Sequence, residues 1–148
     1  ELANRRSFRN VLDLGCGTGL LAIGAARLWK RPVLASDIDP VAVEVTRDNA
    51  RANGVAPLVR AVTADGLTNP VLANGAPYDL LIANILAGPL TQLAPSILKA
   101  LAPGAMLVLS GLLRNQEALV TSFYRDLRFI GRRRDGPWSA LVLEKPAR

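Results

Sequence analysis

The chain has 148 residues, half of them apolar, and a formal charge of +6 from 18 Lys+Arg against 12 Asp+Glu. A single cysteine and no histidine rule out an internal disulfide framework and catalysis by a histidine base, and leave no Cys/His metal site to expect. No apolar run reaches the roughly 18 residues of a membrane span, and residues 1–6 lack the apolar core of a secretory signal, so a soluble chain in a reducing compartment, the cytoplasm, is expected. In chain order, Asn10–Leu14 is a short apolar strand that runs into glycines, and Leu20–Trp29 has helical spacing with Leu21, Ala25 and Leu28 on one face. Pro32–Ser36 is the next strand. Asp39-Pro40 reads as an N-cap followed by a proline in the first turn, opening a helix that stops at Asn53-Gly54. Strands follow at Leu58–Thr63 and Tyr78–Ala83, separated by a loop rich in Gly, Pro and Asn. Leu86–Leu101 is mostly helical, bent or broken at Pro95. After a turn at Pro103-Gly104, Ala105–Ser110 is a fifth strand and Asn115–Tyr124 a helix. The tail departs from this alternation: Leu127–Arg134, a turn at Asp135-Gly136-Pro137, and Trp138–Glu144 form a hairpin. Strand and helix in alternation predict one α/β domain, a mostly parallel sheet with helices on both faces and an antiparallel strand from the terminal hairpin.

The basic balance comes from 15 arginines spread along the sequence, with one run at Arg132-Arg133-Arg134. On an alternating strand these three cannot all face one way, and the seven aromatics are too few for a stacking stripe, so direct nucleic-acid binding is not expected.

Asp13-Leu14-Gly15-Cys16-Gly17-Thr18-Gly19 lies where the first strand hands over to the first helix, the place where doubly wound sheets bind ligands. The third glycine arrives one position too early for a dinucleotide fingerprint, which counts against a pyrophosphate ligand. Asp37 ends the second strand, 18 residues after Gly19, close to the offset at which a carboxylate takes both ribose hydroxyls of a nucleoside. Asp65-Gly66 follows the third strand, where a carboxylate can accept from an adenine amino group. Helix caps and turns explain any one of these acids; Asp13, Asp37 and Asp65 at three successive strand ends converge on one crevice.

These residues resemble the class I methyltransferases, whose fold is Rossmann-like with a seven-stranded sheet and whose cofactor is S-adenosyl-L-methionine. Residues 11–19 are similar to their first motif and Asp37-Ile38-Asp39-Pro40 to their second. The resemblance implies that Asp13 and the loop Gly15, Cys16, Gly17, Thr18 and Gly19 hold the methionine end. It assigns the ribose to Asp37, the adenine face to Ile38 and the adenine amine to Asp65 with Gly66.

Asn84 ends the fourth strand beside the expected position of the reactive methyl, where its side-chain oxygen can accept from an incoming amine and aim the lone pair. Asn84 is therefore the expected catalytic residue, and it is also expected to touch the cofactor. The segments Asn84-Ile85-Leu86-Ala87, Ser110-Gly111-Leu112-Leu113 with Gln116, and 138–143 resemble the PrmA family, which trimethylates amines of large-subunit ribosomal protein eleven. That resemblance implies a ribosomal protein as partner. It also implies that residues 1–148 are the family's catalytic domain, without its amino-terminal substrate-recognition domain. A small-molecule or nucleic-acid N-methyltransferase and a noncatalytic cofactor-binding domain remain open alternatives. Ile85-Leu86 supply no aromatic clamp for a base, and Trp138 could either floor a substrate channel or pack the hairpin.

Overall fold

A computed structural model describes residues 6–148; the first five positions, read above for a signal sequence, lie outside the described residues. Seven strands form one sheet: β1 (Val11–Leu14), β2 (Val33–Asp37), β3 (Val59–Thr63), β4 (Tyr78–Asn84), β5 (Leu101–Leu113), β6 (Arg128–Asp135) and β7 (Trp138–Glu144). The helices are α1 (Leu20–Trp29), α2 (Pro40–Ala52), α3 (Pro70–Gly75), α4 (Ala87–Gln92), α5 (Ala94–Ala100) and α6 (Glu117–Ser122), the last preceded by a 3-10 turn at Arg114–Gln116. The sheet order is β3-β2-β1-β4-β5-β7-β6. The first five strands run parallel, and β7 is antiparallel to both β5 and β6.

Alternation along the strands divides the core into two layers. Val11, Val33, Ala35, Leu80 and Met106 pack with Ala22, Ile23, Ala26 and Val43 of α1 and α2. Leu12, Leu14, Leu81, Leu107 and Leu109 pack on the other face with Leu72, Leu90, Ile97 and Val120 of the remaining helices. The chain winds outward from β1 through β2 to β3 and then returns to β4 on the far side of β1. A crevice must open above the carboxyl ends of β1 and β4, because their connections leave in opposite directions.

Two elements differ from expectation, at α3 and at the start of β5, and the expected break at Pro95 is found. The loop before β4 contains α3, opened by Asn69, whose side chain accepts from the Val71 amide at 2.8 Å. The long helix splits at Leu93 into α4 and α5, with Pro95 in the first turn of the second. Strand β5 starts at Leu101 and absorbs the expected turn: its register against β4 shifts between Tyr78↔Leu101 and Leu80↔Met106, and Gly104 lies within it at φ 75°.

Candidate functional site

The cleft above the switch point has a volume of about 600 Å³ and is walled by the ends of four adjacent strands. Gly15 and Gly17 follow β1, Asp37 and Ile38 stand at the end of β2, Ala64, Asp65 and Gly66 follow β3, and Asn84, Ile85 and Leu86 come from β4. Pro89, Gln92 and Leu93 of α4 and its C-terminus complete the wall. The glycine loop is held rigidly. Gly15 N and Cys16 N both donate to Ser36 O at 2.8 Å, Gly17 N donates to Asp37 Oδ2 at 2.9 Å, and Thr46 Oγ1 donates to Gly17 O at 2.9 Å. Gly15 is required in the strict sense: at φ 77° a side chain is strained, and a Cβ there would lie 2.3 Å from Ile85 Cγ2.

Asp37 also accepts from the Asp39 amide at 3.0 Å through Oδ1, so each of its oxygens already holds one backbone donor and retains a further lone pair. Asp65 is exposed and its carboxylate takes no hydrogen bond within the described residues. Asp13 lies one layer behind the loop. It is 1% exposed, its Oδ2 accepts from the Ala22 amide at 3.0 Å, and its Oδ1 has no partner among the described residues. Burial pushes its carboxyl up to about 7, against the lowering pull of the Ala22 hydrogen bond and with a further raising contribution from Asp37.

A second cleft, about 450 Å³, adjoins the first and shares Asn84, Ile85 and Leu86 with it. Ser110, Gly111 and Trp138 form its other side. Asn84 stands at the junction, and its side-chain amide takes no hydrogen bond from the described residues. Gly111, at φ 81°, lets β5 pass so close that a Cβ would come within 2.7 Å of Ile85 O and 3.1 Å of Asn84 Oδ1. Behind this cleft Glu117 receives Ser139 Oγ at 2.6 Å, Arg134 at 2.8 and 2.9 Å, and Arg132 at 3.2 Å. The Arg134 hydrogen bonds, then that of Ser139, hold the Glu117 carboxyl down at about 2.

Of the expected site residues, Gly15, Gly17, Asp37, Ile38, Asp65, Gly66 and Asn84 line the first cleft. Asp13, Cys16, Thr18 and Gly19 do not: the Cys16 thiol is buried against Thr46 Oγ1 at 3.3 Å, and Thr18 O accepts from Asn49. Of the two readings of Trp138, a place at a channel is the one found: the hairpin brings it to the second cleft, whose lining it shares with Asn84. Sequence reasoning passed over Pro89, Gln92 and Leu93. Their i, i+3, i+4 spacing puts them on one helical face and is the signal that could have found them.

The fold that carries these clefts is the Rossmann-like methyltransferase fold. The ribosomal protein L11 methylase of Lactobacillus delbrueckii subsp. bulgaricus has a solved structure that matches with a TM-score of 0.86 and 26% identity, across 97% of this chain and 74% of that one. An RNA methyltransferase from Salinibacter ruber, solved in complex with S-adenosyl-L-homocysteine, matches with a TM-score of 0.73 and 22% identity, across 93% and 81% of the two chains. Residues 2–146 match the family described as ribosomal protein L11 methyltransferase (PrmA), and the chain belongs to that family. The ribosomal protein L11 methyltransferase of Rhodopseudomonas palustris (strain BisB5) is 50% identical over 140 residues, which are 93% of this chain and 47% of that protein. The chain spans about half the length of the curated relatives it matches.

Proposed function

We propose that residues 1–148 form a domain that transfers methyl groups from S-adenosyl-L-methionine to lysine or amino-terminal amines of ribosomal protein L11. The observation that carries this reading is Asn84, an amide with no hydrogen-bond partner among the described residues, at the junction of two adjoining clefts. The first cleft suits a nucleoside: Asp37 for the ribose hydroxyls, Ile38 and Leu93 for the faces of the base, Asp65 for its amino group. Asp13 Oδ1, buried and without a partner among the described residues, belongs to the carboxyl that a nearby ammonium group would draw into its charged form. Glycine at 15, where a Cβ would strike Ile85, keeps the backbone open to a close-lying ligand. The cofactor, when bound, supplies a methyl group made electrophilic by its sulfonium. Asn84 Oδ1 accepts an N–H of the entering amine and turns the nitrogen lone pair toward the first cleft. A free lysine has a pKa of about 10.4, and an apolar approach past Ile85 and Leu86 lowers it. The neutral amine therefore needs orientation more than a dedicated base, in keeping with a chain without histidine.

Acceptor choice then belongs to a separate recognition domain of the kind the family resemblance implies. The cytoplasm, where ribosomal proteins are made, is the compartment this reading requires; among the described residues no helix is long and apolar enough to cross a membrane.

Transfer of labelled methyl groups to purified L11, together with calorimetry of the demethylated cofactor, tests the reading. Asn84→Ala should lower kcat at least about tenfold while leaving cofactor affinity within about twofold, because its contact is made with the acceptor. Equal loss of affinity and rate would put Asn84 in the nucleoside site instead, and binding without transfer to any amine would leave a noncatalytic domain.

A further inference from the structure

Glu117 lies outside both clefts, yet the wall of the second one depends on it. Strand β7 pairs with β5 from Met106↔Glu144 to Leu109↔Leu141, then the register shifts across Ser110 and Gly111. Beyond that bulge only two pairs, Leu112↔Ser139 and Leu113↔Trp138, together with a bond from Arg114 N to Pro137 O at 2.9 Å, hold the hairpin tip to the sheet. Trp138 itself is 51% exposed, so packing does little to fix it.

Side chains alternate along β7, which sends Ser139 to the face opposite Trp138. There Ser139 is 3% exposed and donates to Glu117, while Arg134, its pairing partner on β6, grips the same carboxylate with two nitrogens. Glu117 opens α6, which is seated in the core by Val120 and followed by the buried Tyr124. A connected path thus runs from the core through one carboxylate to the residue adjoining Trp138. Bidentate Arg–carboxylate pairing adds direction as well as strength to such a path.

We infer that Glu117 is a positioning residue for the acceptor side of the site: by clamping Ser139 and Arg134 it sets where Trp138 stands as a wall of the second cleft. The inference rests on the proposed amine transfer for its kinetic consequence, but not for its structural one.

Trp29→Phe leaves Trp138 as the sole tryptophan, and Glu117→Gln and Ser139→Ala are made in that background. Gln keeps the shape but halves the strong acceptors; Ser139→Ala removes a single hydroxyl and carries the test if the first variant does not fold. Expected are a roughly twofold rise in acrylamide quenching of Trp138 and a rise of about fivefold in KM for L11, with kcat and cofactor affinity nearly unchanged. Unchanged quenching in both variants would overturn the inference, as would a joint fall in kcat and cofactor affinity, which marks general loosening. Absence of transfer from the unmutated protein would overturn the proposed function alone, and the quenching comparison would still decide the role of Glu117.

Discussion

Burial pushes the Asp13 carboxyl up to about 7, so it keeps a proton into a pH range where an ordinary carboxyl has lost it. In the folded chain its carboxyl titrates near 7, whereas the ordinary value is 3.8. The folded state therefore holds one more proton than the unfolded state between those values, and stability is greatest below 3.8 and declines as the pH rises toward 7. Asp13→Asn keeps an acceptor for the Ala22 amide and abolishes the titration. Thermal melts should show the variant gaining on the parent at pH 8 relative to pH 4, while calorimetry shows weaker cofactor binding; an identical pH slope in both proteins would contradict the buried charge. The same residue marks how far the sequence could be read. The acid at the end of β1 was legible from its place before the glycines, but its position behind the loop was not, because only the path of α1 brings Ala22 N to it. Cys16, Thr18 and Gly19 were likewise legible as loop and not as outward-turned or buried members of it.

At the scale of elements, proline and the caps carried most of the reading, and the misses arose where a local signal had two meanings. Asp39-Pro40 opened α2 as expected, with the Asp39 side chain accepting from Val41 N at 2.9 Å. Asn69-Pro70 is the same device, but the Gly, Pro and Asn around it read as loop, and α3 is short enough to need the Asn69 cap, the bond from Tyr78 OH to Leu72 O at 2.6 Å and the packing of Leu72 in the core together. Just past the end of α6, Tyr124, 1% exposed, ties the chain to α4 by donating to Leu90 O at 2.6 Å, within the core layer that Leu90, Ile97 and Val120 share. Tyr124→Phe strips that carbonyl of its donor and should cost about 1–2 kcal/mol in urea unfolding with no change in m. A loss within about 0.3 kcal/mol would mean that water replaces the hydroxyl.

For the whole molecule, five strands in alternation with helices made a mostly parallel sheet legible, but not its order β3-β2-β1-β4-β5-β7-β6, because right-handed crossovers are compatible with more than one order. The clefts follow from that order, and the second needed the hairpin to fold back before Trp138 could be seen beside Asn84. Charge bears on the partner. On the proposed reading, a +6 chain would weakly repel a basic acceptor at long range, so steering would not recruit it, whereas a tethered recognition domain would raise its effective concentration to the millimolar range. Residues 1–148 alone should then bind cofactor as tightly as a full-length relative such as that of Rhodopseudomonas palustris, yet methylate L11 with a much lower kcat/KM. Equal kcat/KM for the two would place acceptor selection on the surface of this domain.

The lone thiol of Cys16, sealed beneath the glycine loop, turns that loop into a clock. Burial raises it to about 11, so a disulfide reagent in neutral buffer finds neither access nor thiolate until the loop lifts away from Thr46. The rate of modification then counts openings of the very segment whose Gly15 and Gly17 line the first cleft, with no probe introduced and no competing thiol anywhere in the 148 residues. A ligand seated on Gly15 and Gly17 must slow that clock in proportion to its occupancy.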